Sequence, residues 1–204
     1  GLLLMVAHLN WLDPSITNLV PVLNSYWLLI HVAIITSSYG FLSLAAILGL
    51  ISLWLIIFTN SSNKNKLEGT LKEITIINEK SIEVGLFMLT IGTFLGGVWA
   101  NESWGRYWGW DPKETWALVS ILIYSFVLHM RFIPALKGIL TFNAVSMFAI
   151  WTIIMTYFGV NYYLSGLHSY AAGDPMPIPV FVYYLLAIMI VSTLIAKLRF
   201  KKNY

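Results

Sequence analysis

The sequence predicts an all-α polytopic transmembrane helical bundle of about five full spans, with a truncated helix end before them and an outward-facing Trp-rich loop. Three observations carry that prediction. Of 204 residues, 58% are hydrophobic and only 10% are charged, where a soluble domain carries about 25% charged residues. The mean hydropathy is +0.77. The few charges are also clustered, so that long uncharged stretches lie between them. A single membrane domain over 1–204 follows, facing lipid, with no nucleic-acid partner expected. The sequence has no Cys, which excludes disulfides, thiolate metal sites and cysteine nucleophiles.

The first uncharged run opens at Gly1 and ends at Asp13, too short for a span of ~20 residues. It lacks the basic start of a signal peptide. The chain is therefore expected to be a C-terminal piece of a longer protein, cut within a helix. Five further uncharged stretches then read as spans: Trp27–Phe58, Val84–Asn101, Thr115–Met130, Gly138–Gly173 and Pro175–Ala196. The third reaches full length only if its charged ends snorkel. The fourth is longer than one span, so its part from about Gly159 onward is expected to be a surface loop. Prolines 175, 177 and 179 close that loop and start the last helix.

Five spans make the connections alternate sides. One side holds Lys64, Lys66, Lys72, Lys80, Arg131, Lys137, Lys197, Arg199, Lys201 and Lys202. The other holds only Arg106 and Lys113, with Asp13, Glu102, Asp111, Glu114 and Asp174. The positive-inside bias therefore places the 60–82 connection and the tail at Tyr204 in the cytoplasm. Segments 10–26, 99–114 and 159–178 face outward.

Five of the nine Trp fall between Trp99 and Trp116: Trp99, Trp104, Trp108, Trp110 and Trp116. An aromatic belt at the bilayer interface explains one or two per helix end, as at Trp27, Trp54 and Trp151, but not this concentration. Trp104 and Trp108 would share a face if the stretch is helical, and Gly105 and Gly109 leave room for a flat ligand. Large rings with polar N–H tips suit a planar apolar ligand, and Arg106 is a cation for an acid group on it. Asp111-Pro112-Lys113-Glu114 reads as a helix start with a capping box. That role accounts for both carboxylates, so Asp111 is expected to position the loop more than to touch ligand.

Of the four histidines, His31 lies just inside the outer end of the first full span and His168 lies in the last outer loop. Either alone reads as well as a satisfied polar group. Two at one depth, flanking the Trp segment, suit axial ligands to a haem iron. His129 lies at the opposite end of the third span, about 22 Å of helix from Glu114 at ~1.5 Å per residue. An ionisable residue within a span is a functional candidate, here for a second, inner site whose other ligand is not in this chain. His8 reads as a surface residue.

The run Trp99-Ala-Asn-Glu-Ser-Trp-Gly-Arg-Tyr-Trp-Gly-Trp-Asp-Pro-Lys-Glu-Thr-Trp-Ala closely resembles the signature of the WWD haem-handling family. More narrowly, it is similar to the CcsA/CcsBA type cytochrome c synthase of the system II pathway. The resemblance extends to Leu19-Val-Pro-Val-Leu-Asn-Ser-Tyr-Trp-Leu-Leu-Ile-His31 and to His129 and His168. It implies that haem b is taken up at an inner site and passes to an outer site under the Trp segment. His31 and His168 match the outer ligands and would serve the reaction. Trp104, Arg106, Trp108, Trp110, Asp111 and Trp116 would form the cofactor platform, and His129 matches one inner ligand.

The other inner His would come from a CcsB-type subunit or a fused N-terminal half. The implied reaction is a haem lyase reaction, joining haem vinyl groups to the thiols of a Cys-x-x-Cys-His segment of apocytochrome c. The setting would be a bacterial inner membrane, with the Trp loop on the periplasmic face. Two other readings compete: a haem carrier delivering to a chaperone, and a membrane dihaem electron-transfer subunit. The second expects paired His on facing helices, whereas this outer pair brackets a loop. A transporter of some other planar ligand leaves the histidines unexplained.

Overall fold

The computed structural model describes residues 25–168 and 177–203. His8, Asp13, Asp174, Pro175, Tyr204, the leading helix end and most of the 10–26 loop lie outside the described residues. All regular structure among the described residues is helical: α1 (Tyr26–Phe58), α2 (Lys64–Trp104), α3 (Pro112–His129), α4 (Ile139–Tyr163) and α5 (Val180–Asn203). Each is long and apolar enough to cross a membrane, and the chain is an integral membrane protein.

α1 carries no charge and buries one stripe: Ser38, Leu42, Ala45, Ala46, Gly49, Ser52, Leu53 and Ile56. The spacing of three and four residues puts these on one helical face, and the small residues among them let neighbouring backbones approach. α1 is central, touching α2, α4 and α5, while α3 packs against α2 and α4. The α1–α2 pair is antiparallel, with Gly85 facing Leu42, Gly92 facing Ile35 and Gly96 facing His31. A Cβ at Gly92 would meet Ile35 Cγ1 at 2.5 Å and the Ile35 backbone nitrogen at 3.2 Å.

Gly92→Leu is therefore expected to destabilise the bundle by about 1–3 kcal/mol through overpacking. Gly40→Leu, where a Cβ meets nothing within 4 Å, should leave it near wild type. Thermal unfolding of the two variants in detergent measures the difference, and equal midpoints would refute the close-packed seam.

Two apolar clusters fill the bundle. One joins Leu42, Ala45, Ile82, Leu89, Tyr124, Val127, Ala149 and Ile153 across α1, α2, α3 and α4. The other joins Leu53, Ile56, Leu71, Ala144, Met147, Met189 and Ala196 near the end of α1. Between α2 and α4, Asn78 Nδ2 donates to Asn143 Oδ1 at 3.0 Å and Ser146 Oγ at 2.9 Å, and Asn143 Nδ2 donates to Thr75 Oγ1 at 2.8 Å. These buried amides fix the register of the two helices, because a shifted register would leave them unpaired in an apolar medium.

Three spans depart from the sequence reading. The 60–82 segment is not an open connection: the turn is confined to 59–63 and α2 is helical from Lys64 over 41 residues. At ~1.5 Å per residue that is about 60 Å, longer than the ~30 Å apolar layer, so the charged start of α2 projects beyond it. Lys72 pairs with Glu68 on its surface while Leu71 is buried in the second cluster. The turn is tied by Asn60 Oδ1, which accepts from the backbone nitrogens of Ser62 and Asn63.

The fourth span continues past Gly159 to Tyr163, because one π-helical turn at Met155–Gly159 carries α4 onward without a break. The last helix begins at Val180, after the prolines, and runs through Lys197, Arg199 and Lys201. Its basic residues are thus part of the helix.

Candidate functional site

At the end of the bundle where α1 begins and α2 ends lies a cavity of about 210 Å³. Its wall takes His31, Ile35 and Tyr39 from α1, Gly96 and Trp99 from α2, Trp108 from the following loop, Lys113, Glu114 and Ala117 from α3, Tyr157 from the π-helical turn, and His168. Two histidines far apart in sequence therefore face one space.

Each imidazole is held by its Nδ1. His31 is buried, and its Nδ1 lies 2.7 Å from the Trp27 carbonyl oxygen one helical turn back. A carbonyl can only accept, so Nδ1 carries the proton. His168 Nδ1 lies 2.8 Å from Asp111 Oδ2. Among the described residues neither Nε2 has a hydrogen-bond partner. A committed Nδ1–H fixes the tautomer and leaves a neutral Nε2 with a lone pair, the arrangement found behind metal-bound histidines.

Asp111 is a junction. Its Oδ2 accepts from the Lys113 backbone nitrogen at 3.2 Å, completing the N-cap of α3, and its Oδ1 accepts from the Leu167 backbone nitrogen at 2.6 Å. Glu114 Oε2 accepts in return from the backbone nitrogens of Asp111 and Gly109. The expected capping box is present, and one carboxylate both starts α3 and holds the His168 loop. Burial pushes the Asp111 carboxyl up, but the His168 contact and the Lys113 and Leu167 amides outweigh it and hold the group below the usual carboxylate range. Burial lowers the His168 imidazole further than Asp111 raises it. At neutral pH the pair is thus a carboxylate beside a neutral imidazole.

The Trp segment is divided by its glycine. Gly105, left-handed at φ 72°, caps α2, so Trp104 and Trp108 do not share a helical face. Trp99 is buried, with its ring 5.4 Å from His31 and 6.0 Å from His168. Trp104 packs edge-on against Trp99 and His168, and its buried Nε1 has no hydrogen-bond partner among the described residues. Trp108 lines the cavity. Trp110, exposed and held at φ 56°, stands edge-on to Trp108. A non-glycine residue with positive φ is strained, and here it forms the corner entering the α3 cap. Trp116 lies within α3, outside the cavity wall, and its carbonyl accepts from Ser120 and Thr156.

Arg106 is exposed and its guanidinium lies over Gly109, outside the cavity wall. The loop turns it away after the Gly105 cap, and Lys113 is the cation in the wall instead. His129 lies at the opposite end of α3, exposed, with Nδ1 2.7 Å from the Ser125 carbonyl. A second cavity of about 170 Å³ near it, lined by Glu79, Arg131 and Lys137 among others, does not include it. Sequence reading passed over Trp99 as a ring near both histidines, and over Tyr39, Lys113 and Tyr157. For Trp99 a signal existed, since it lies one turn from Gly96 on the face that packs against His31.

Residues 1–168 match the family described as cytochrome c assembly protein. The chain is 52% identical over 177 residues to Protein NrfI of Wolinella succinogenes, covering 87% of this chain and 20% of that protein. It is 34% identical over 216 residues to the cytochrome c biogenesis protein CcsA of Cyanophora paradoxa, covering 83% of this chain and 66% of the relative. With CcsA of Chlamydomonas reinhardtii the identity is 39% over 155 residues, 74% of this chain and 42% of the relative. The chain thus spans between a fifth and two thirds of the length of these relatives. With the family matched over most of its length, this membrane chain belongs to the cytochrome c assembly proteins, of the CcsA type.

Proposed function

We propose that the chain binds haem between His31 and His168 and presents it for covalent attachment to a Cys-x-x-Cys-His segment of apocytochrome c. The observation that carries this reading is the pair of imidazoles facing one cavity, each with Nδ1 committed and Nε2 uncommitted. The donor set fits an iron porphyrin: neutral nitrogen ligands, the aromatic walls of Trp99 and Trp108, and the unpartnered Trp104 Nε1 beside His168. Bound haem supplies two vinyl groups and an iron that accepts imidazole. Addition of each acceptor S–H across one vinyl double bond would form a C–S and a C–H bond and would need no oxidant. The chain's own residues hold and orient the reactants in a water-poor space, the usual protein share of cofactor chemistry.

In this reading the cofactor is haem b, and the cavity end faces the periplasm with the basic ends of the helices in the cytoplasm, following the charge asymmetry. His129, exposed near the basic end, is one ligand of an inner site completed by a CcsB-type subunit or a further segment of the same protein. Purified in a complete protein, His129→Ala should retain less haem than wild type by absorbance, and an unchanged haem content would remove the inner site.

The test of the function is co-expression of the intact protein with a Cys-x-x-Cys-His acceptor. Covalent haem on the acceptor supports attachment. Haem bound to the protein with none reaching the acceptor reduces the reading to a carrier.

A further inference from the structure

We infer that Lys113 receives the acid groups of the ligand held between His31 and His168, and so selects a carboxylate-bearing porphyrin. The inference rests on the proposed haem site and names what that site recognises besides iron. The charged side chains in the cavity wall are Lys113 and Glu114. Glu114 is already committed, its Oε2 accepting from the Gly109 nitrogen at 2.7 Å and the Asp111 nitrogen at 3.2 Å. Lys113 is not neutralised in the same way. Its Nζ donates to the neutral Asn161 Oδ1 at 3.2 Å and forms no ion pair among the described residues.

An ammonium carries three donors, so two are left over beside a largely apolar wall of Leu28, Val32, Ile35 and Ala117. Lys113 is half-buried and makes no direct ion pair among the described residues; an arriving carboxylate would supply one. Asn161 aims the ammonium: its Nδ2 donates to the Tyr157 carbonyl at 2.8 Å, which turns Oδ1 toward Lys113. Lys113 lines the same cavity as His31 and His168, so one ligand can meet the two histidines and the ammonium together. Lys113 also stands in the first turn of α3, where the helix dipole favours an anion. Asn161 is a positioning residue for this contact.

The experiment compares haem with haem dimethyl ester, whose acid groups are masked, by absorbance titration of the purified full-length protein. Wild type should prefer the free acid, and Lys113→Gln should weaken haem about tenfold while leaving the ester's affinity unchanged. Lys113→Arg should keep the preference. The imidazole-ligated absorbance spectrum should be the same in all three, separating loss of the ammonium from loss of an iron ligand. A wild-type protein that binds acid and ester equally overturns the proposal without any variant. So does a Lys113→Gln variant with undiminished preference for the acid. Failure of the haem site itself reads differently: neither porphyrin would bind, or His31→Ala and His168→Ala would bind both as wild type does.

Discussion

Covalent haem on a co-expressed acceptor should fall to background when either His31 or His168 is replaced by alanine. The two residues come from a helix and from a distant loop, yet both line the same cavity, each with its Nδ1 held by a hydrogen bond. Removing only the hydrogen-bond partner behind a metal-bound His typically costs 10–100-fold, so losing the ligand itself should cost about a hundredfold or more. His31→Ala replaces a buried side chain of α1 by a good helix former, so α1 should persist and the protein should still be present in the membrane. Each variant leaves a hole of imidazole size open to the cavity, and added imidazole should restore part of the attachment. Normal attachment by either variant without added imidazole would remove that residue from the site.

How much of this was legible in the sequence depends on the range of the interaction. The spans came from charge spacing, because apolar length against bilayer thickness is a one-dimensional constraint. The same rule left the form of 64–82 open. Lys and Glu there resembled a solvated connection, whereas the spacing of Leu71, Asn78 and Ile82 puts one side of that charged helix against the bundle. The α3 cap was legible because Asp-Pro-Lys-Glu is a local motif, whereas Gly105, read as room for a flat ligand, is the left-handed cap of α2.

What was not legible is which cation enters the cavity. Arg106 and Lys113 differ by seven positions, and the choice is made by a left-handed glycine, a strained Trp110 and the pitch of the first turn of α3. The contact of His168 with Asp111 joins residues with no local pattern linking them. It depends on α4 running on through its π-helical turn to Tyr163 before the chain returns.

That contact sets the second large effect, Asp111→Asn. Asparagine caps a helix as well as aspartate does, so α3 should form. The carboxylate, however, accepts on both oxygens: Oδ1 from Leu167 N–H, Oδ2 from Lys113 N–H and His168 Nδ1–H. An amide has one oxygen to offer. If its nitrogen takes the Oδ2 place, it donates to Nδ1, drives the proton onto Nε2 and blocks the lone pair that would meet iron. If its nitrogen takes the Oδ1 place, it opposes the Leu167 N–H, and the loop carrying His168 must move. Gly166 tightens this, since a Cβ there would already meet the Asp111 carboxylate and come within 2.8 Å of Pro112 Cδ. Either orientation should weaken haem binding by roughly 10–100-fold, with a stability loss of only about 1 kcal/mol for the mispaired group. Haem titration and thermal unfolding of the same preparation separate the two. An affinity equal to wild type would mean that Asp111 serves the helix cap and nothing at His168.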